Sequence, residues 1–263
     1  MPYFLLAAWL FWLGKEKKSF TIMSLLLLST FVSGLLKMVI ARPRPEGLIA
    51  LDDKIGYSMP SGHSTIAGTI AAYAYFSNEI KKNYKYFLII LALLTGISRI
   101  YLGVHFLSDV ITGLFIGAII GWIVFKLESK INKMHFHVSK LDEEFLFIFL
   151  FVLLIILDLF VPAEYYGAYA ILGYFMGYAI YRHTNMTQIM VRPKTRRQEV
   201  VALFFGTIIF ALLGGLAYLI LKGLEAQIIF FIAGIFVTLI WPLVITKTVL
   251  KREEIKEKKK QKI

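Results

Sequence analysis

The residues of this chain best equipped for chemistry are two histidines, His63 and His105, one carboxylate, Asp109, and three cations, Lys37, Arg44 and Arg99. They fall in three stretches: KMVIARPRP at 37–45, PSGH at 60–63 and SRIYLGVHFLSD at 98–109. Cations without a matching cluster of acids suit an anionic ligand, and phosphate fits them well: arginine offers a fork of paired donors and lysine a compact point charge. If PSGH opens a helix, the backbone N–H groups of Ser61, Gly62 and His63 add dipolar donors at its N-terminus. Gly62, lacking a Cβ, lets an oxyanion approach the backbone, Ser61 can both cap the helix and bond the phosphate, and Pro60 stiffens the turn that precedes it.

The two histidines can divide a phosphoryl-transfer reaction. His105 and Asp109 are four residues apart, so on a helix they share one face. The carboxylate then holds one ring nitrogen while the other is free to attack, which is triad logic with imidazole as the nucleophile. His63, arriving from a different segment, is suited to protonate the leaving oxygen as general acid. Charge that gathers on the equatorial oxygens in the transition state would face the cations, so electrostatic stabilisation supplies most of the rate gain. No metal and no other cofactor is expected.

Membrane helices must hold these stretches. The 263 residues are 58% hydrophobic and only 17% charged, a balance that excludes an ordinary soluble domain with a charged shell. Nine apolar segments stand out, at 3–13, 20–40, 62–77, 86–103, 105–125, 145–161, 165–181, 201–221 and 227–249. The first is short for a full crossing, which takes about 20 residues. The expected fold is all-α, a polytopic transmembrane bundle of about 8–9 membrane helices. Its parts are a catalytic membrane core at 1–126, additional transmembrane helices at 127–250 and a basic cytoplasmic tail at 251–263.

Alternating helix direction sorts the 29 Lys and Arg residues by side. Only Lys37, Arg42, Arg44, Lys54, Arg99 and Lys222 fall on one face, and the crowded opposite face is the cytoplasmic one by the positive-inside rule. All three chemical stretches therefore belong to the extracytoplasmic face, or to the lumen if the membrane is that of an organelle. The net charge of +12 follows from this topology, so nucleic acid is not an expected partner. Cysteine is absent from the chain, which removes disulfides, thiol nucleophiles and thiolate metal sites.

Other residues read as structural. Gly113, Gly117 and Gly121 recur every four residues, and Gly173 pairs with Gly177, as expected where helix backbones approach closely in lipid. Arg42 is expected to touch lipid headgroups. Trp9, Trp12, Trp122 and Trp241 read as an interfacial aromatic belt. Asp158 is expected near the outer end of the sixth segment, in the pocket or at the interface. His135, His137 and His183 lack the acids or thiols of a metal site.

The ordered pattern K-x6-R-P, P-S-G-H, S-R-x5-H-x3-D resembles that of the type 2 phosphatidic acid phosphatase (PAP2) superfamily, over residues 20–125. The resemblance implies a helical core and metal-independent hydrolysis of a phosphate ester through a phosphohistidine, at a site near the membrane surface. By it, His105 corresponds to the nucleophile, Asp109 to its orienting partner and His63 to the acid. Lys37, Arg44, Ser61, Gly62 and Arg99 correspond to the phosphate pocket. Two helices precede or carry Lys37, where the six-helix lipid phosphatase core usually has three, and four apolar segments follow Asp109. That layout is similar to the glucose-6-phosphatase and sphingosine-1-phosphate phosphatase branches. The added helices can form a lipid-access groove, a solute cavity or a dimer face.

The expected function is hydrolysis of a lipid phosphate or pyrophosphate, such as polyprenyl pyrophosphate or phosphatidate, on the outer side of the cell membrane. Its partners would be that lipid substrate, membrane lipids and, through a dimer face, a second copy in a homo-oligomer. Two alternatives use the same pocket: a lipid or solute transporter that binds headgroups there, and a lipid phosphotransferase.

Overall fold

The computed structural model describes residues 2–45, 56–78, 80–134, 166–184, 186, 190, 192–221 and 223–250. Their regular structure is helical throughout: α1 (Pro2–Trp12), α2 (Glu16–Ile40), α3 (Gly62–Phe76), α4 (Lys82–Tyr101), α5 (Leu107–Met134), α6 (Tyr166–His183), α7 (Arg196–Ile220) and α8 (Gly223–Ile235). Two π-helical turns, Phe236–Ile240 and Thr246–Leu250, prolong α8 on either side of a short α-helical piece, Trp241–Ile245. Helices are the expected outcome for apolar segments, because in hydrocarbon every backbone N–H and C=O must find its partner within the segment.

Among the described residues, five stretches are long and apolar enough to cross a membrane: Glu16–Ile40, Lys82–Tyr101, Leu107–Glu128, Arg196–Gly215 and Glu225–Thr248. The chain is thus a multi-pass membrane protein. α1, with 11 residues, is about 16 Å long at 1.5 Å per residue, well short of a hydrocarbon core about 30 Å thick. The predicted segment at 145–161 with Asp158, and the histidines His135 and His137, lie outside the described residues.

Two compact units divide the chain, residues 24–164 and residues 1–23 with 165–263. Compactness thus groups α1 with the C-terminal helices, whereas the partition at 126/127 follows motif content.

In the first unit α3 packs along α5 through the expected glycine stripe. A Cβ at Gly113 would come within 2.7 Å of the Ser61 carbonyl oxygen, and at Gly117 and Gly121 it would collide with the backbone of Thr65 and Thr69. Each glycine faces the residue 52 positions earlier, so the two helices run parallel in constant register. Gly68 answers from α3, where a Cβ would strike the Leu114 carbonyl. Because lipid provides no hydrophobic drive between helices, this backbone-to-backbone approach supplies the dispersion contact that holds them. α4 joins through Gly96, against Val110, and α2 through a hydrogen bond from Ser29 Oγ to Thr69 Oγ1 (2.8 Å). The parallel register brings the N-termini of α3 and α5 to one end of the unit.

In the second unit Gly173 and Gly177 of α6 lie against Phe231, Ile235 and Thr238, again as small-residue contacts. Two tryptophans depart from the expected interfacial belt. Trp12 and Trp241 are each only 5% exposed, and their indole N–H groups donate to the carbonyls of Val237 (2.9 Å) and Ala202 (3.0 Å). Gly206 makes this possible, since a Cβ there would sit 2.6 Å from atoms of both rings. Trp9 donates to Thr207 Oγ1 at 2.8 Å, and Trp122 is exposed.

Candidate active site

Every predicted site residue falls in the unit of residues 24–164. α2 ends on Ala41, which adopts φ 47°, a left-handed conformation that an L-residue enters at a cost of about 1–2 kcal/mol. The Ala41 N–H closes the last turn on the Lys37 carbonyl (2.9 Å). This reversal sends Arg42 to Pro45 back across the end of the unit, where segment 57–61 fastens them. The Ser58 N–H donates to the Arg42 carbonyl (2.8 Å), and Ser58 Oγ donates to the Pro43 carbonyl (2.9 Å). Lys37 is 8% exposed and caps the same segment from below, its Nζ donating to the carbonyls of Tyr57 (2.5 Å) and Ser58 (3.2 Å). Two of the three ammonium donors are thus committed to the loop.

PSGH opens a helix as predicted. Ser61 is the N-cap of α3, with φ −69° and ψ 112°, and its Oγ accepts from the Ser64 N–H (3.4 Å) and from Ser64 Oγ (3.0 Å). The Met59–Pro60 peptide is cis. Gly62 makes room on the protein side as well, since a Cβ there would lie 3.3 Å from Ser33 Oγ of α2. His63, in the first turn of α3, is exposed.

The histidine–carboxylate pair forms by a different route from the one expected. His105 is not on a helix; it lies in the turn after Gly103 (φ 70°), and α5 begins at Leu107. Asp109 sits in the first turn of α5 and folds back, its Oδ2 accepting the Phe106 N–H at 2.9 Å as the acid of a capping box does. That backward reach sets Oδ2 3.5 Å from His105 Nδ1. The same helix start is tied to PSGH, because the Ser61 N–H donates to the Asp109 carbonyl at 3.0 Å. From the other side Arg44 Nη1 donates to the Val104 carbonyl (2.9 Å), next to His105.

Burial and neighbouring charge set the protonation of His105. The residue is 7% exposed, and desolvation, followed by the positive charges of Lys37, Arg44 and His63, lowers its pKa from 6.5 to about 3; a hydrogen bond to the Ser58 backbone opposes them. His105 is therefore a neutral imidazole at physiological pH. Lys37, Arg44 and His63 thus share its neighbourhood. Arg99 reaches the C-terminal end of α4, half-buried, with its Nε on Ser98 Oγ (3.2 Å). Among the described residues no group of three or more His, Cys, Asp or Glu side chains is arranged to hold a metal ion.

Two residues not expected in the site belong to this cluster. Ser58, fully buried, fastens the loop as described. Arg42 leaves its expected headgroup role: its Nη1 donates to Asp109 Oδ1 (2.9 Å) and to Ser108 Oγ (2.6 Å). The sequence held no signal that separates Arg42 from a headgroup contact: Asp109 is fully buried only in the packed chain, and a desolvated carboxylate needs a cation beside it.

The arrangement has the components of a phosphoryl-transfer site: a neutral imidazole backed by a buried carboxylate, flanked by lysine and arginine and facing a helix N-terminus. The chain is similar to known proteins over the part that holds this arrangement. Residues 18–133 match the PAP2 superfamily. Phosphatidylglycerophosphatase B of Bacillus subtilis (strain 168) is 38% identical over 106 residues, 37% of this chain and 52% of that protein. Undecaprenyl-diphosphatase BcrC of the same organism is 32% identical over 130 residues, 48% of this chain and 66% of that protein. A crystal structure of a transmembrane PAP2 type phosphatidylglycerolphosphate phosphatase from Bacillus subtilis aligns with a TM-score of 0.41 and 30% identity, over 49% of this chain and 69% of that one. The chain spans about half the length of the first of these curated relatives. It carries a PAP2 superfamily domain, at residues 18–133.

Proposed function

We propose that this chain is an integral-membrane phosphatase that hydrolyses a phosphate monoester or diphosphate on a membrane lipid, with its site on the extracytoplasmic side. The observation that carries the reading is the buried pair of His105 and Asp109, 3.5 Å apart, in the positive surroundings of Lys37 and Arg44. In the proposed first step the ring nitrogen of His105 remote from Asp109 attacks phosphorus. The bond from phosphorus to the lipid oxygen breaks, and His63 delivers a proton to that oxygen. In the second step water, deprotonated by His63, attacks the phosphohistidine and releases phosphate and a neutral His105. Lys37, Arg44, Arg99, Ser61 and the N–H groups at Gly62 and His63 would hold the phosphoryl oxygens through both steps.

A lipid phosphate substrate is supported by the relatives, which are named for phosphatidylglycerophosphate and undecaprenyl diphosphate. Sidedness is supported by the distribution of Lys and Arg. The test is phosphate release by purified protein in detergent, from a panel of polyprenyl diphosphate, phosphatidylglycerophosphate, phosphatidate, a sphingoid-base phosphate and a sugar phosphate. Hydrolysis ranked by kcat/KM identifies the substrate class. Activity that persists in His105→Ala, or vanishes with EDTA, contradicts the mechanism, and a phosphorylated acceptor in place of free phosphate would make the chain a phosphotransferase.

A further inference from the structure

Arg42 ties its own stretch to residues 58–59, just before PSGH, and to the stretch that ends at Asp109. Its backbone carbonyl accepts the Ser58 N–H (2.8 Å), and its Nη1 lies 3.8 Å from Met59 Sδ. That nitrogen also donates to Ser108 Oγ and to Asp109 Oδ1, and the guanidinium stands over the Phe106 ring, 4.2 Å from Cζ to the centroid. The Asp109 carboxylate is divided accordingly: Oδ1 is held by Arg42, while Oδ2 receives the Phe106 N–H and faces His105. A carboxylate gripped at one oxygen by a planar donor stacked on an aromatic ring cannot turn its other oxygen away without breaking both contacts.

We propose that Arg42 is a positioning residue for the reaction, which fixes the rotamer of Asp109 and through it the tautomer and aim of His105. The inference rests on the phosphatase reading above. The guanidinium is one-third exposed while Asp109 is fully buried, so Arg42 approaches the pair from outside and on the side opposite His105's carboxylate contact. Its contact is with the carboxylate, through Oδ1, while the charges that lower the pKa of His105 are those of Lys37, Arg44 and His63. Arg42 and Arg44, two residues apart, thus have separate partners, one on the Asp109 carboxylate and one on the Val104 carbonyl.

The experiment compares Arg42→Gln, Arg42→Lys and Arg42→Gln/Asp109→Asn with the wild type, Asp109→Asn and His105→Ala, on the best substrate of the panel. A positioning role predicts that Arg42→Gln lowers kcat about 10- to 100-fold with KM nearly unchanged. Arg42→Lys should recover part of the loss, because it restores the charge but not the planar guanidinium that stands over Phe106. The double variant should be no slower than Asp109→Asn alone, since the two act in series. In histidine-labelled protein the 15N spectrum of His105 should show one neutral tautomer in the wild type and a mixture in Arg42→Gln. A rise in KM at constant kcat, or an unchanged His105 spectrum with unchanged kcat, overturns the proposal and leaves the phosphatase reading standing. An inactive wild type, or an active His105→Ala, strikes that reading instead.

Discussion

Asp109 Oδ2 stands 3.5 Å from His105 Nδ1, and the carboxylate has no exposure to solvent. Nδ1 makes no hydrogen bond at this distance, so in the proposed mechanism the pair closes when substrate binds, with Asp109 on Nδ1 and the other ring nitrogen attacking. Asp109→Asn keeps the shape but reverses what the side chain offers the imidazole, and it also removes the charge that Arg42 compensates. The expected outcome is a kcat lower by about 10³- to 10⁴-fold with the fold retained, by analogy with triads that lose their carboxylate. Steady-state kinetics with circular dichroism of the same preparation checks it.

The lowered pKa of His105 makes a prediction about acid. Its value is about 3 in the folded protein against 6.5 for a free side chain, so protonation favours the unfolded chain. The contribution of this group to stability is fully present above pH 6.5 and is lost progressively as pH falls from there toward 3. Between pH 7 and 4.5 the melting temperature of the wild type should fall more than that of His105→Gln, measured in the same detergent. Parallel curves for the two proteins would mean that His105 titrates near its ordinary value.

The glycine stripe sets how closely α3 and α5 approach. Gly117→Ala places a methyl group against the Thr65 backbone, which cannot yield as a flexible side chain would. A loss of about 1–3 kcal/mol is expected, with reduced activity because the register of Ser61 against Asp109 depends on this contact. Gly215→Ala, where nothing lies within 4 Å of the added Cβ, should leave activity unchanged. Thermal denaturation and phosphate release of the two variants side by side make the comparison.

Ala41 occupies a conformation better suited to glycine, at φ 47°. Ala41→Gly should stabilise the protein by up to about 1 kcal/mol, the relief of strain being partly offset by the greater freedom of the unfolded chain. Because the chain path to Arg42 and Arg44 is unchanged, kcat/KM should stay within about twofold, an expectation that follows from unaltered transition-state contacts. A rise in melting temperature at constant activity is the expected reading.

Much of this protein is legible in its sequence because the properties concerned are local. Length and apolarity alone decide which segments become membrane helices. A repeat of four brings Gly113, Gly117 and Gly121 onto one face whatever lies opposite. The polar residues that a membrane protein places at helix ends stand out against such a background, so Lys37, Arg44, Ser61, His63, His105 and Asp109 could be named before any coordinates. Alternation of helix direction was enough to expect them at one end.

What the tertiary structure alone decided concerns the partners left over once backbones have packed. His105 meets Asp109 from a turn and not from a helix face, because the carboxylate is drawn back to cap the Phe106 N–H. Arg42 belongs to Asp109, and Trp12 and Trp241 are buried, because a fully desolvated carboxylate needs a cation and Gly206 leaves space for two indoles. α1 groups with helices almost 200 residues away, as the 2.8 Å bond from Trp9 to Thr207 shows. A sequence displays which groups will need partners in a low-dielectric interior. The identity of each partner depends on distances between segments that only the packed chain sets.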